Sequence, residues 1–430
     1  MNKRDDDAEY PLLETQKEEG LINSSNGVAE EDGKKEGGEE KTYSEAIIVA
    51  MAVFSAYAAM VVLQHKLAGR YFEDTKLTGD ELKAAKVSFQ HACSFNYIGN
   101  MVFRIAHNFV FSGLSPRQRV YVSLISIATA MCIISFVVVI FKHHWLGWIY
   151  LSYFLGGMGI GTFGPNFISS ITPLGHNTKV WAISGMPVGF NVISIVGFAA
   201  QALGAPLISL YLFVCALVGV GSMIYFFRIP NVPIKNNSVN AGEFIANLKQ
   251  WREWFPKIKF NGLALMVDMY CVSFFSAALL YIYNDGAAGT GLVPLFGAGT
   301  LLFSHDWFFA INNSFTFCGD TISRKFAYWA KPRHPLQYII LSITGALLCI
   351  SKIAILAPIG MFLIFFANGA VYGTSTRFID NNVDKRYNLI ALSVWLFMGD
   401  VGSVTGSNTY EPLIEWLCST HNAHICMPRK

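Results

Sequence analysis

The sequence predicts an all-α, polytopic membrane protein with eleven transmembrane helices. Apolar residues make up 53% of the 430 residues and charged residues only 14%, whereas a typical soluble domain has about 25% charged residues. Apolar stretches of roughly 20 residues recur along the chain, and each is long enough to cross a hydrocarbon layer about 30 Å thick. The predicted spans are residues 43–64, 88–112, 119–141, 145–172, 179–203, 205–228, 260–284, 307–330, 336–356, 357–377 and 386–416.

A charged segment over residues 229–259 divides these spans into two halves. Residues 43–228 are predicted to form a six-helix half, and residues 260–416 a five-helix half. Residues 1–42 are acidic and Gly-rich with almost no aromatic side chains, which predicts a disordered cytoplasmic tail. Residues 417–430 are predicted to form a short extracytoplasmic tail.

The dividing segment contains the run EFIANLKQWREWF. Its apolar residues Phe244, Leu248, Trp251 and Phe255 recur at helical spacing, opposite a lysine and an arginine. This pattern predicts an amphipathic helix that either lies on a membrane face or packs as a short connector against the bundle.

The distribution of lysine and arginine predicts which end of the chain is cytoplasmic. An odd number of spans places the two termini on opposite sides, and cationic residues concentrate in cytoplasmic loops. A cytoplasmic N-terminus and an extracytoplasmic C-terminus fit best, because the loop over residues 285–306 then lies outside and has no lysine or arginine. The cations assigned to cytoplasmic loops are Arg117, Arg119, Lys179, Arg228, Lys235, Lys249, Arg252, Lys257, Lys259, Lys331, Arg333, Arg377, Lys385 and Arg386.

Two further sequence features concern cysteine and glycine. The eight cysteines show no metal-ligand spacing, and most lie in apolar stretches, although a disulfide between Cys418 and Cys426 stays open. Glycines spaced four residues apart predict helix contacts in which two backbones approach closely. These glycine pairs are Gly157 with Gly161, Gly185 with Gly189, Gly369 with Gly373 and Gly402 with Gly406.

Ionisable residues inside the predicted spans are the candidates for function. A charge at the centre of a membrane helix costs about 2.5–3.5 kcal/mol on insertion scales, so it needs a partner or a wet cavity. Lys352 and Arg104 lie near span ends, and we interpret both as structural side chains that reach the headgroups. Lys325 is predicted to be an anchor at the cytoplasmic side.

Asp320 and Arg324 stand apart from the other charged residues because they lie four positions apart in one span. This spacing places both side chains on one helix face, where they can pair. Such a pair either binds a polar solute or only orients helices.

Asp268 and Asp400 have no partner at that spacing. Each is a candidate for proton coupling, and each fits equally well as an interior carboxylate that accepts hydrogen bonds from neighbouring polar groups.

The arrangement of six spans, a cytoplasmic loop and five spans resembles the equilibrative nucleoside transporter family. In INNSFTFCGDTISRKFAYW, Asp320 and Arg324 match the family's acidic and basic pair; FFANGAVYG matches its Asn-Gly at Asn368 and Gly369; and ISGMPVGFNV resembles its Ser-Gly helix start. The resemblance implies a bundle of the major facilitator type, in which Asp320, Arg324 and Asn368 contact the solute.

The resemblance extends less evenly to other spans. The family's span-four glutamine falls by spacing on Thr162, with Asn166 one turn further as a substitute, so both join the implied solute-binding set. The family's Pro-Trp-Asn-like segment in span one and its span-nine arginine have no counterpart here.

A second resemblance is to battenin, a lysosomal membrane protein. It is carried by MGDVGSVTGS and EWLC in the last span and by the acidic PLL segment near the N-terminus. The two resemblances leave the plasma membrane and the endolysosomal membrane open as locations.

These features favour a carrier that moves nucleosides or nucleobases by alternating access, with protons as candidate coupling ions. Its expected partners are a small polar solute and the lipid bilayer, and no nucleic acid, cofactor or metal is expected. P-loop, GxSxG and HExxH patterns are absent from the sequence, so an enzyme is not predicted. The alternative is a battenin-like membrane protein or a scaffold that descends from a carrier and has lost transport.

Overall fold

A computed structural model describes most of the chain after its N-terminal tail. The predictions for residues 1–40, for Lys235, Lys331, Arg333 and Lys352, and for Cys426 lie outside the described residues. The segment from Thr42 onward forms one structural unit. The described residues are 41–73, 75, 77–232, 241–285, 292–296, 301–330, 334–351 and 353–421.

The N-terminal half is helical throughout its described length, apart from short connections. The helix that starts at Pro116 begins with a capping box in which Ser115 and Gln118 exchange hydrogen bonds, and it continues as π-helix over Ile133–Ile140. A second π-helical stretch, Val192–Gly197, joins the helix that ends at Asn191 to the one that begins at Phe198. The helices are α1 (Ala46–Val62), α2 (Gln64–Phe72), α3 (Gly79–Val110), α4 (Pro116–Cys132), α5 (Gly147–Ile171), α6 (His176–Asn191), α7 (Phe198–Ala202) and α8 (Leu207–Phe227).

The C-terminal half follows the dividing segment. A short antiparallel pair, β1 (Leu292–Pro294) and β2 (Leu302–Ser304), precedes the helix that begins at His305. A 3-10 turn, Pro335–Tyr338, leads into the helix that begins at Ile339. The helices are α9 (Ala241–Lys249), α10 (Trp251–Asp285), α11 (His305–Ala330), α12 (Ile339–Ile350), α13 (Leu356–Asn382) and α14 (Asn388–His421).

The predicted all-α membrane class is confirmed, but the number of spans is not. Each of the eleven predicted ranges overlaps a helix in the described part of the chain. Only six of the described helices are long and apolar enough to cross a membrane, or seven if α1 and α2, bent by 58°, make one broken span. The chain is thus a multi-pass membrane protein in which the figure of eleven stays a prediction.

The predicted glycine pairs lie at helix contacts, as expected. A Cβ atom on Gly157 or Gly161 of α5 would come under 3.0 Å from the backbone of α3. Gly185 with Gly189 on α6 and Gly402 with Gly406 on α14 approach the backbones of α1 and α10 equally closely. On α13, Gly369 approaches the backbone of α11 as closely, whereas a Cβ on Gly373 would lie 2.8 Å from the Ala327 side chain of α11. Glycines therefore allow two close helix contacts in each half. In the N-terminal half these join α5 to α3 and α6 to α1. In the C-terminal half they join α13 to α11 and α14 to α10.

The dividing segment packs against the bundle, which favours the connector interpretation over a helix on a membrane face. Phe244 is buried and its ring packs 5.3 Å from that of Phe109 on α3, whereas Trp251 is half exposed. The Trp254 indole is buried and donates to the Asn247 carbonyl over 3.0 Å. The buried side of the segment thus includes Phe244 and Trp254, whereas Trp251 of the predicted stripe is half exposed. Helix α10 begins inside the dividing segment, at Trp251.

The main helix contacts between the halves are α6 with α11 and α3 with α14, and smaller ones join α5 to α14 and α7 to α11. Two of the ion pairs described below lie along the two main contacts. We call the end of the bundle that carries the dividing segment the loop end.

Candidate functional site

Asp320 and Arg324 form a side-on ion pair on α11, which confirms the predicted pairing. The Arg324 Nε donates to Asp320 Oδ1 over 2.8 Å, and its Nη2 donates to Oδ2 over 3.2 Å. Both residues are buried, with 5% and 6% of their surface exposed. We call these two residues the central pair.

The central pair faces the boundary between the halves and not lipid. Across that boundary, the Arg324 Nη1 lies 3.5 Å from the Ile183 carbonyl oxygen of α6. On its other side the guanidinium stacks 4.5 Å from the Tyr372 ring of α13. Gly369 lets α13 approach, because a Cβ there would lie 2.8 Å from Asp320 Oδ1. Alternating-access carriers hold their solute at a boundary of this kind.

Asp268 and Asn368 belong together, although 100 residues separate them. The Asn368 amide nitrogen donates to Asp268 Oδ2 over 2.6 Å, and the Ser342 hydroxyl donates to Oδ1 over 2.8 Å. Asp268 is fully buried. Its two hydrogen bonds fit the predicted alternative of an interior carboxylate satisfied by its neighbours, and they direct the amide nitrogen of Asn368 toward Asp268.

Asp400 pairs with Arg104 across the boundary, so the interpretation of Arg104 as a side chain reaching the headgroups was wrong. The Arg104 Nε donates to Asp400 Oδ2 over 2.7 Å, and Asn100 Nδ2 donates to Oδ1 over 3.0 Å. Arg104 is only 8% exposed. The long side chain stays inside because a carboxylate from α14 neutralises its charge there. We call Arg104 and Asp400 the bridging pair.

Thr162 and Asn166 lie one helical turn apart on α5. Both are fully buried, and Asn166 Nδ2 donates to the Thr162 carbonyl over 2.7 Å. Gly164, two positions from each, faces Arg104, since a Cβ there would lie 2.5 Å from Arg104 Nη1, so Thr162 and Asn166 point to a different side of the helix. The Thr162 hydroxyl and the Asn166 amide oxygen have no hydrogen-bond partner among the described residues.

Tyr372 lies between the Arg324 guanidinium, on which it stacks, and α14. Its ring packs 4.9 Å from that of Trp395 on α14. The five predicted solute-binding residues therefore fall into three groups: the central pair, Asn368 beside Asp268, and Thr162 with Asn166 on α5.

A further ion pair joins the halves near the loop end. Lys179 of α6 donates to Asp380 of α13, which also accepts from Asn388 Nδ2 over 3.1 Å. The His176 ring packs 4.8 Å from that of Tyr328 nearby. Lys179 was predicted to be a loop cation, but it is buried within α6 because Asp380 supplies its counter-charge.

Two further points concern Lys325 and metal binding. Lys325 is exposed, in agreement with an anchor, and its ammonium lies 6.0 Å from the Trp181 ring. In the described part of the chain, no group of three or more His, Cys, Asp or Glu side chains is arranged to hold a metal ion.

Comparisons with known proteins identify the fold. No model of a protein family matches the sequence, and no curated protein matches it. The human organic anion transporter MFSD10 (TETRAN) is similar in structure, with a TM-score of 0.63 and 11% identity over 89% of this chain and 95% of that one.

Two structures of a bacterial transporter are similar as well. The E. coli fucose:proton symporter FucP gives a TM-score of 0.59 and 14% identity over 88% of this chain and 93% of that one. FucP in an outward conformation, described as a Major Facilitator Superfamily transporter, gives 0.56 and 13% over 89% and 94%. At these identities the likeness concerns the fold alone. The chain therefore has the fold of the major facilitator transporters.

Proposed function

We propose that this protein is a membrane transporter that moves a small polar solute by alternating access, and that nucleosides or nucleobases are its solutes. The observation that carries the proposal is the central pair, a buried aspartate and arginine at the boundary between two halves of a carrier fold. The desolvation of two charges is offset only when their contacts are good, and a polar solute can share those contacts during passage.

The nucleoside assignment rests on sequence resemblance and on the hydrogen-bonding character of the site. The central pair supplies both donors and acceptors, which suits the mixed donor and acceptor edge of a base or a ribose. The similar structures are named for an organic anion and for fucose with protons. These two solute classes therefore belong in any uptake screen beside the purines and pyrimidines.

Alternation between two states is supported by where the halves meet. Lys179 with Asp380, and His176 with Tyr328, join them near the loop end. Opening at that end would separate both contacts, so we take the described state to be closed there. With a cytoplasmic N-terminus the loop end faces the cytoplasm, in the plasma membrane or an endolysosomal membrane.

The test is uptake of radiolabelled adenosine, inosine and hypoxanthine into cells that express the protein, compared with an Asp320→Asn variant. We expect saturable uptake of at least one of these solutes and a loss of at least tenfold in the variant, because Arg324 loses its counter-charge (about 1.4 kcal/mol is tenfold). If no purine or pyrimidine is taken up and the variant behaves identically, the alternative of a battenin-like or scaffold protein without transport gains support.

Proton coupling forms a separate part of the proposal, with Asp268 and Asp400 as the candidate carboxylates. Uptake is expected to depend on a proton gradient, and Asn at the coupling position is expected to remove that dependence. Uptake without any pH dependence, in which Asp268→Asn and Asp400→Asn both match the parent protein, would exclude coupling through either residue.

A further inference from the structure

We infer that the bridging pair, together with Asn100, is a second solute-contacting site that takes the hydroxyl-bearing end of a neutral solute. The inference rests on the proposed transport function. It extends the site across the boundary from the central pair to α3 and α14.

The position of the bridging pair supports this role. Arg104 belongs to the N-terminal half and Asp400 to the C-terminal half, and their 2.7 Å contact is buried. α3 and α14 form one of the main helix contacts between the halves. A charged contact shared by two halves must break when they separate, and a solute bound there can replace it during the change.

An unsatisfied polar atom lies at the same point. The Asn100 amide nitrogen donates to Asp400, while its amide oxygen is buried and lacks a partner among the residues that the structure describes. A buried polar atom without a hydrogen bond is costly, so this oxygen beside the ion pair indicates that another molecule supplies the missing partner. An oxygen atom with free acceptor capacity calls for a donor such as a hydroxyl or amide hydrogen.

The charges of the site favour a neutral solute. The bridging pair carries one positive and one negative charge, as does the central pair. An anion attracted to either guanidinium would also meet the adjacent carboxylate, and the two effects largely cancel. Adjacent hydroxyl groups can accept from Arg104 and donate to Asp400 at once, which suits a sugar diol.

Aromatic residues extend from the central pair to α14, the helix that carries Asp400. Tyr372 stacks on Arg324 and packs against Trp395 of α14. A solute that reaches both pairs would carry two polar ends.

Inosine and hypoxanthine test this directly, because they share a base and differ by the ribose. In proteoliposomes, Asn100→Ala is expected to raise the KM for inosine about tenfold, the value of one lost hydrogen bond, and to leave the KM for hypoxanthine nearly unchanged. Lys179→Gln is the matched control. It breaks another ion pair between the halves, so it is expected to change uptake of both solutes by the same factor.

Exchanging the charges of Arg104 and Asp400 distinguishes an ion pair that contacts the solute from one that only holds the helices together. Arg104→Asp with Asp400→Arg retains an ion pair but reverses its donor and acceptor, so we expect a folded protein with a near-parental melting temperature and inosine uptake reduced more than hypoxanthine uptake. Parental KM values for both solutes in the exchanged protein, or equal changes for both solutes in Asn100→Ala, would overturn the inference.

If the parent protein takes up neither solute, the nucleoside part of the proposed function fails, and the second site is judged by ligand-induced stabilisation. Fucose, a neutral polyhydroxyl compound, should then raise the melting temperature of the purified protein, and Asn100→Ala should abolish the rise. No stabilisation of the parent, or equal stabilisation of the variant, would contradict the second site.

Discussion

Arg324→Gln and Asp320→Asn, made singly, are each expected to destabilise the protein and to abolish measurable transport. Each change leaves the other member of the central pair buried without its counter-charge, a defect that costs about 3–5 kcal/mol in buried pairs. The side-on geometry of the pair, with contacts of 2.8 and 3.2 Å, means that both hydrogen bonds are lost together. Thermal unfolding of the purified protein measures the first effect and solute uptake measures the second.

The double variant Asp320→Asn with Arg324→Gln separates stability from transport. It removes both charges, so no unpaired charge remains, and its melting temperature is expected to return close to that of the parent protein. Transport is expected to stay reduced by a hundredfold or more, since hydrogen bonds to charged groups contribute about 1.5–3 kcal/mol each. A double variant with parental uptake would show that the central pair only orients helices.

Gly369→Ala is expected to disturb the geometry of the central pair from α13, the helix that packs against it. The added Cβ would lie 2.5 Å from the Asp320 carbonyl oxygen and 2.8 Å from its carboxylate, so α11 and α13 must move apart. Overpacking of this kind costs about 1–3 kcal/mol. We expect a lower melting temperature together with a KM raised at least tenfold.

Two control variants distinguish this effect from general damage. Gly189→Ala creates a comparable clash with the backbone of α1, away from both ion pairs, and should lower stability with little change in KM. Gly219→Ala on α8 has open space around its Cβ and should change neither property. A KM that rises equally in Gly189→Ala and Gly369→Ala would mean that the Gly369 contact has no special relation to the site.

Much of the fold could be predicted from the sequence because the bilayer restricts the choice of structures. Long apolar stretches have to be helices in a membrane, so the predicted spans all overlap helices. Glycines four residues apart identified helix contacts for the same kind of reason, since only small residues permit such close approach. By contrast, the packing of Phe244 against Phe109 depends on tertiary structure that no local pattern gives.

The candidate site could be predicted only where its partners are close in sequence. Asp320 and Arg324 lie one helical turn apart, so their pairing follows from helix geometry. Arg104 and Asp400 lie 296 residues apart, and Asp268 and Asn368 lie 100 apart, which no local pattern can connect. The available signal was the cost of burial: two unpaired charges of opposite sign in different spans ought to be considered as partners.

Lys179 is a further residue whose partner could not be predicted from the sequence. Near the start of a span it was interpreted as a loop cation, and the sequence offered no sign that Asp380 would neutralise it. The rule that cations concentrate in cytoplasmic loops cannot distinguish an exposed lysine from one that is buried against a distant carboxylate.

Solute counterflow tests alternating access at the central pair most directly. Proteoliposomes that contain purified protein are loaded with unlabelled inosine, and entry of external radiolabelled inosine is followed over time. We predict a transient accumulation of label with the parent protein, because one binding site exchanges solute between the two sides, and none with the stable Asp320→Asn, Arg324→Gln double variant. Counterflow at the parental rate in that double variant would contradict a solute site built on the central pair.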